Sequence, residues 1–245
     1  MSIPAAVTAE PTPTASVEPA PNADRVLALI RARFGSHRPP PPFETYTLTR
    51  RQDTPDGQPD GQGSYVVHVW VRNADGAALT RTLVGNGTSG PLTFDRPAFN
   101  EPRDPGPPTA DLFGAANGPS EYRVDSMETL GNVVHLRIVP MRDPERNRLR
   151  EIFADKQTYE LRKLIAADKL FIGGGTVYPV TFTITVGTVD GHPVVTYIQG
   201  LVGGNYNDSG KEVNYTFTAI TFPHALPDWY FEPRTYGQHG GDAPV

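Results

Sequence analysis

The sequence predicts a mainly β protein built on antiparallel sheet, with about ten strands and one convincing helix. Three observations carry this. Near 178–186 and 213–221 apolar residues recur at every second position, giving each segment one apolar and one wet face, the pattern of half-buried antiparallel strands. Short runs of turn residues separate successive strand-like segments, which joins neighbours into a meander. Helical spacing of apolar residues is clear only over residues 23–34.

Composition agrees with a folded middle between loose ends. Gly (24) and Pro (26) together make up about a fifth of the 245 residues, against roughly 12 % in average usage. Hydrophobic residues at 38 % with 20 % charged still permit a core. No run approaches the ~18 consecutive apolar residues of a membrane-spanning helix. The absence of cysteine excludes disulfides, thiolate metal sites, iron–sulfur clusters and cysteine nucleophiles. A net charge of −5 argues against nucleic acid as a partner.

Residues 1–22 are Ala, Pro, Thr and Glu with almost nothing to bury, so they read as a disordered linker. They lack the basic start and apolar middle of a signal peptide. A linker with nothing before it suggests that an export signal or anchor is missing from this chain; a plain disordered N-terminus is the alternative. The helix over 23–34 is capped by Asn22, has Asp24 at its positive end and meets Gly35 as a stop. Val26, Leu27, Ile30 and Phe34 form its apolar stripe, widened by Leu29. Pro39–Pro42 follow as a stiff spacer of roughly 12 Å.

Strands are then predicted at 43–51, 64–72, 78–84, 121–130, 132–140, 148–155, 158–167, 178–186, 193–201 and 213–221. On one face of 178–186 lie Tyr178, Val180, Phe182, Ile184 and Val186, with Thr181, Thr183 and Thr185 opposite. Val213, Tyr215, Phe217 and Ala219 repeat the pattern, as do Val67, Val69 and Val71, and Val134, Leu136 and Ile138. Asn73–Gly76, Gly131-Asn132, Asp143-Pro144, Asp190-Gly191 and Asp208–Gly210 supply the turns.

Ten strands with one apolar face must hide it, by a second sheet, barrel closure or helices. One helix of twelve residues, about 18 Å long, cannot cover them all. Residues 85–120 are the natural cover, a segment without clear periodicity and far beyond ordinary loop length. It carries Leu92, Phe94, Phe99, Leu112 and Phe113, with a short helix from Thr109, and reads either as a lid or as a plug that completes the core.

The order of parts from Tyr122 to Leu164 (a strand, a Gly turn, a strand ending in Pro, a polar Asp-Pro turn with arginines, a strand ending in Asp, another apolar strand) resembles the periplasmic lipoprotein-carrier superfamily, the LolA-like and LppX-like half-barrels. The paired strands at 178–200 and the ending Leu226-Pro227-Asp228-Trp229-Tyr230-Phe231-Glu232-Pro233 agree with it. The resemblance implies an incomplete antiparallel barrel whose concave apolar face, lined by helix and loop, binds acyl chains or lipidated proteins outside the cytoplasm. It spans residues 23–233 in outline, leaving 234–245 as a flexible tail. The Pro39–Pro42 strut and the long 85–120 segment depart from the family, and no family ligand-binding residue is transferred.

Other motifs have simpler readings. Gly85-Asn-Gly87-Thr-Ser-Gly90 matches a dinucleotide fingerprint, but Pro91 and the lack of helical periodicity deny it the helix it needs. Gly173–Gly175 lacks the Lys-Ser/Thr of a phosphate loop. Six scattered histidines (37, 68, 135, 192, 224, 239) assemble no metal ligand set. The repeat Pro55-Asp-Gly-Gln-Pro59-Asp-Gly-Gln reads as a polar hairpin tip rather than a calcium loop. Asp143, Glu145 and Asp155 are explained by turn formation, and nothing in the sequence signals buried acids. Arg142, Arg146, Arg148 and Arg150 crowd one turn; an anionic lipid or membrane surface would suit them, but the intervening acids favour a self-neutralised turn.

The sequence therefore supports non-catalytic, extracytoplasmic binding or carriage of a lipid, acyl chain or lipidated protein, by a monomer without cofactor, metal or nucleic acid. The residues expected to line the cavity are Val67, Val69, Val71, Leu112, Phe113, Leu136, Ile138, Val180, Phe182, Ile184, Tyr215 and Phe217. The alternative is an envelope structural or protein-interaction module with a filled core and no ligand.

Overall fold

A computed structural model describes residues 22–36, 41–53, 58, 63–85, 89–92, 121–142, 144, 147–171, 177–203 and 212–239. One helix, α1 (Ala23–Ser36), precedes the sheet. The Asn22 carboxamide oxygen accepts the Arg25 N–H at 2.8 Å, which satisfies one of the helix's free amides. Gly35 does not end the helix, which runs through it to Ser36; the fraying last turn tolerates one glycine. Val26, Leu27 and Ile30 are buried along one stripe, and Arg33 meets Glu160 at 2.5 Å.

Eleven strands follow: β1 (Phe43–Gln52), β2 (Tyr65–Arg72), β3 (Ala77–Gly85), β4 (Gly90–Leu92), β5 (Tyr122–Leu130), β6 (Val133–Pro140), β7 (Leu149–Asp155), β8 (Leu161–Phe171), β9 (Val177–Val189), β10 (His192–Val202) and β11 (Glu212–Thr221). Each of the ten predicted segments is a strand. The addition is the three-residue β4, at the start of the segment expected to be a long cover with a short helix from Thr109, where Ala78 pairs with Leu92. Too few residues alternate there to leave a periodic signal. Residues 93–120, with the short helix expected from Thr109, lie outside the described residues, as do the 55–57 and 59–62 parts of the polar repeat. Strand β8 begins at Leu161 rather than 158, because Asp155 caps a turn over 156–158 and Tyr159 is left-handed at φ 57°.

All strands form one antiparallel sheet in the order β4-β3-β2-β1-β11-β10-β9-β8-β7-β6-β5. From β5 to β11 it is a meander of hairpins. The Asp190-Gly191 connection has positive φ at both residues, 48° and 79°, the primed turn that matches strand twist. The N-terminal strand β1 then pairs with the C-terminal strand β11, Leu48 opposite Phe217 and Arg50 opposite Tyr215, and extends the sheet through β2 to β4. The sheet does not close into a barrel: β4 and β5 are its two ends.

Two apolar clusters lie on opposite faces. The large one joins Val26, Leu27 and Ile30 of α1 to inward residues from β1, β2, β6, β7, β9 and β11, among others. The small one, on the outer face, joins Trp70 and Leu79 to Phe231, with Phe43, Leu226, Tyr230 and Tyr236 packed around them. Phe231 belongs to a C-terminal strap containing a 3-10 turn (Asp228–Tyr230) and the one-turn helix α2 (Pro233–Tyr236). Its ring stacks on Phe43 at 6.0 Å and lies under the Arg72 guanidinium at 4.9 Å.

Candidate functional site: the concave face

Alternation along each strand aims one set of side chains inward, and register aligns those sets between strands. Tyr46 faces Val69, Leu48 faces both Val67 and Phe217, Ala166 faces Phe182, and Ile184 lies between Leu164 and Ile198. Of the twelve residues expected to line a cavity, ten are described, and the structure brings all ten into this one cluster. Leu136, Ile184 and Tyr215 are at most 1 % exposed, while Val71 is only half-buried. Leu112 and Phe113 lie outside the described residues.

The inward face is much wider than the helix laid on it. Eleven strands at about 4.8 Å spacing make an arc of roughly 48 Å, whereas α1 is about 21 Å long and ~10 Å across. At the β5 end, Val124 is half-buried and Met127, cross-strand partner of buried Leu136, is 40 % exposed. The mouth of the concave face is therefore apolar where the sheet stops.

Charged residues share this inward face: Asp168, opposite Val180 and paired with Arg148, and in β1 two more, Glu44 and Arg50, none of which was found in the sequence. In β1 the alternation Glu44, Tyr46, Leu48, Arg50 and Gln52 points inward, with Phe43, Thr45, Thr47, Thr49 and Arg51 outward. Arg50 is 8 % exposed. Its guanidinium donates to the Tyr215 hydroxyl (3.4 Å), the Gln52 carboxamide oxygen (2.9 Å) and the Gly63 carbonyl, and lies over the Tyr65 and Tyr215 rings at 5.8 and 5.7 Å. At the opposite end of the strand Glu44 sits half-buried beside Val71, and burial pushes its carboxyl above the ordinary value. Burial, with the Glu44 charge adding, also pushes the Tyr46 hydroxyl up. Alternation over 43–52 was the available signal, but β1 reads weakly because its inward row mixes charge with apolar groups.

Asp155, 4 % exposed, is buried although nothing in the sequence signals a buried acid, and turn formation explains it as expected. One carboxylate oxygen accepts the N–H groups of Gln157 and Thr158 at 2.9 and 3.0 Å; the other accepts Arg162 at 2.7 Å and Asn132 at 3.1 Å. These bonds hold its carboxyl well below the usual carboxylate range.

The remaining motifs are each accounted for by local partners. His68 bonds Thr47 at 3.1 Å and meets the edge of Trp70. His135 stacks on Phe153 at 4.1 Å, with Glu128 on one ring nitrogen (2.6 Å) and Glu151 on the other (2.7 Å). Among the described residues no group of three His, Asp or Glu side chains could hold a metal ion. In the basic turn, Arg142 pairs with Glu121 and Arg148 with Asp168, while Arg150 donates to the carbonyls of Pro144, Asn147 and Leu149. Gly85 ends β3 and Gly90 opens β4, so neither of these fingerprint glycines opens a helix, while Gly87 lies outside the described residues. No helix among the described residues is long and apolar enough to cross a membrane.

The sequence matches no protein-family model and no curated protein. Among solved structures, the chain is similar to a LolA superfamily protein from Nitrosomonas europaea (14 % identity, 86 % of this chain and 98 % of that one, TM-score 0.41). It is similar also to a DUF1329 family protein from Desulfovibrio piger (10 %, 84 % and 96 %, TM-score 0.47). A third likeness is to an outer membrane lipoprotein-sorting protein domain from Vibrio parahaemolyticus (11 %, 87 % and 98 %, TM-score 0.47). The chain's own strands and helix form the open antiparallel sheet with an N-terminal helix that its residues predict.

Proposed function

We propose that the concave face binds the acyl chain of a lipid or lipidated protein outside the cytoplasm, without catalysis. The observation that supports this best is the mismatch between a largely apolar arc of roughly 48 Å and the helix ~10 Å across that lies on it among the described residues. A chain that leaves water for such a surface gains about 0.8 kcal/mol per methylene buried. Neither a metal nor a cofactor is called for, since desolvation alone drives the association. The extracytoplasmic setting rests on the resemblance of residues 122–164 and on a chain without cysteine.

Native mass spectrometry of the protein purified from a bacterial host, followed by lipid extraction, tests this. Co-purifying lipid is expected, with lower occupancy in Val71→Asp and Met127→Glu, which place charge at half-buried or exposed positions of this face. One observation favours a second reading, a filled core in an envelope interaction module: nine of the ten described lining residues are already at most 7 % exposed. A clean apo mass, with no uptake of added lipid, would select it.

A further inference from the structure

The inward row of β1 poses a physical problem that the acyl-binding reading does not solve. Glu44 faces the same side as Tyr46 and Leu48, opposite Val71, where a hydrophobic residue would fit the row. Its carboxylate has no hydrogen bond and no ion pair among the described residues. Arg50, the cation of this row, is six residues along the same strand, roughly 20 Å away at ~3.3 Å per residue. It is held there by Tyr215, Gln52 and Gly63. A half-buried carboxylate in a row of apolar side chains is costly, and the cost is recovered when a donor or cation enters.

We infer that Glu44 is the head-group site of the concave face and selects amphiphiles carrying a primary amine, whose ammonium it meets while the chain lies along Tyr46, Val69 and Leu48. This rests on the acyl-binding reading and adds the polar end of the ligand to it. The lone carboxylate supplies the charge complementarity, and the apolar row beside it gives the chain its direction. A fatty acid would bring a like charge to the same place, and an alcohol would form only a neutral-donor bond.

Displacement of an apolar fluorescent probe at neutral pH by decylamine, decanol and decanoate tests this on the full chain. The wild type should bind decylamine at least about tenfold more tightly than decanol, the low end for a charge-assisted hydrogen bond. Glu44→Gln should bind both alike, and its thermal transition should show that the fold is kept. Equal affinity of the wild type for amine and alcohol, or a preference for amine that survives in Glu44→Gln, would overturn the head-group assignment while leaving acyl binding standing. Failure of all three amphiphiles to displace the probe, or of the probe to bind, would overturn both.

Discussion

The Phe182 ring lies across Gly200, its partner on the neighbouring strand, where a side chain would otherwise stand. A methyl group at Gly200 would be 2.7 Å from Cε1 and 3.1 Å from Cδ1 of that ring, and 3.2 Å from Cγ1 of Val180. The glycine makes room for a large aromatic on the concave floor and is covered by it in turn. Both residues are buried, so the ring has no solvent to swing into. Gly200→Ala should destabilise by about 1–3 kcal/mol, the usual cost of overpacking. Chemical denaturation measures this, and an unchanged midpoint would show that the ring can move aside.

The C-terminal strap should contribute strongly to stability although it is short. Phe231 is 6 % exposed and fills the outer cluster between Phe43, Trp70 and Leu79. Phe231→Ala should cost about 3–5 kcal/mol, as for other buried aromatics. Intrinsic tryptophan fluorescence should shift with it, because Trp70 loses a buried neighbour. A variant that melts with the wild type would mean the strap is peripheral to the fold.

Asp155 should give the protein part of its acid sensitivity. Its folded carboxyl is held below the unfolded value by the Thr158 and Gln157 amides and by Arg162. The resulting stabilisation is therefore complete above the unfolded pKa, about 3.9, and is lost as pH falls through the folded value. Asp155→Asn should melt below the wild type at neutral pH, with the gap closing under strong acid. A gap of constant size from neutral pH to strong acid would refute the linkage.

Glu44 should act in the opposite sense. Burial raises its folded pKa, so the stabilisation belongs to the protonated form. It is fully present below the unfolded pKa of about 4.3 and is lost as pH rises through the folded value. Glu44→Gln should melt above the wild type at pH 7 and alongside it near pH 4. Thermal melts of the two proteins across that range provide the check; a variant less stable at neutral pH would contradict this account.

Much of the sheet was legible because its cause is local. Alternation over 178–186 or 213–221 declares both the strand and its buried face within nine residues, and Asp190-Gly191 declares its own turn. Asn22 capped the helix as read, and the apolar stripe of Val26, Leu27 and Ile30 is the one that is buried. Strand β4 was missed because three residues cannot show a period, and the strap because Leu226, Trp229, Tyr230 and Phe231 follow neither the helical nor the strand spacing.

By itself, then, the sequence determined which segments are strands, which of their faces is apolar, where the hairpins turn and that one helix must lie on something greasy. Those features follow from interactions between residues close in the chain. Only the tertiary structure decided that β1 pairs with β11, that the strap covers Trp70 and Leu79 on the convex side, and that Glu44 and Arg50 share the inward face with Phe217 and Tyr215. Those relations join residues more than 150 positions apart, and no local pattern encodes which distant strand a given edge will meet.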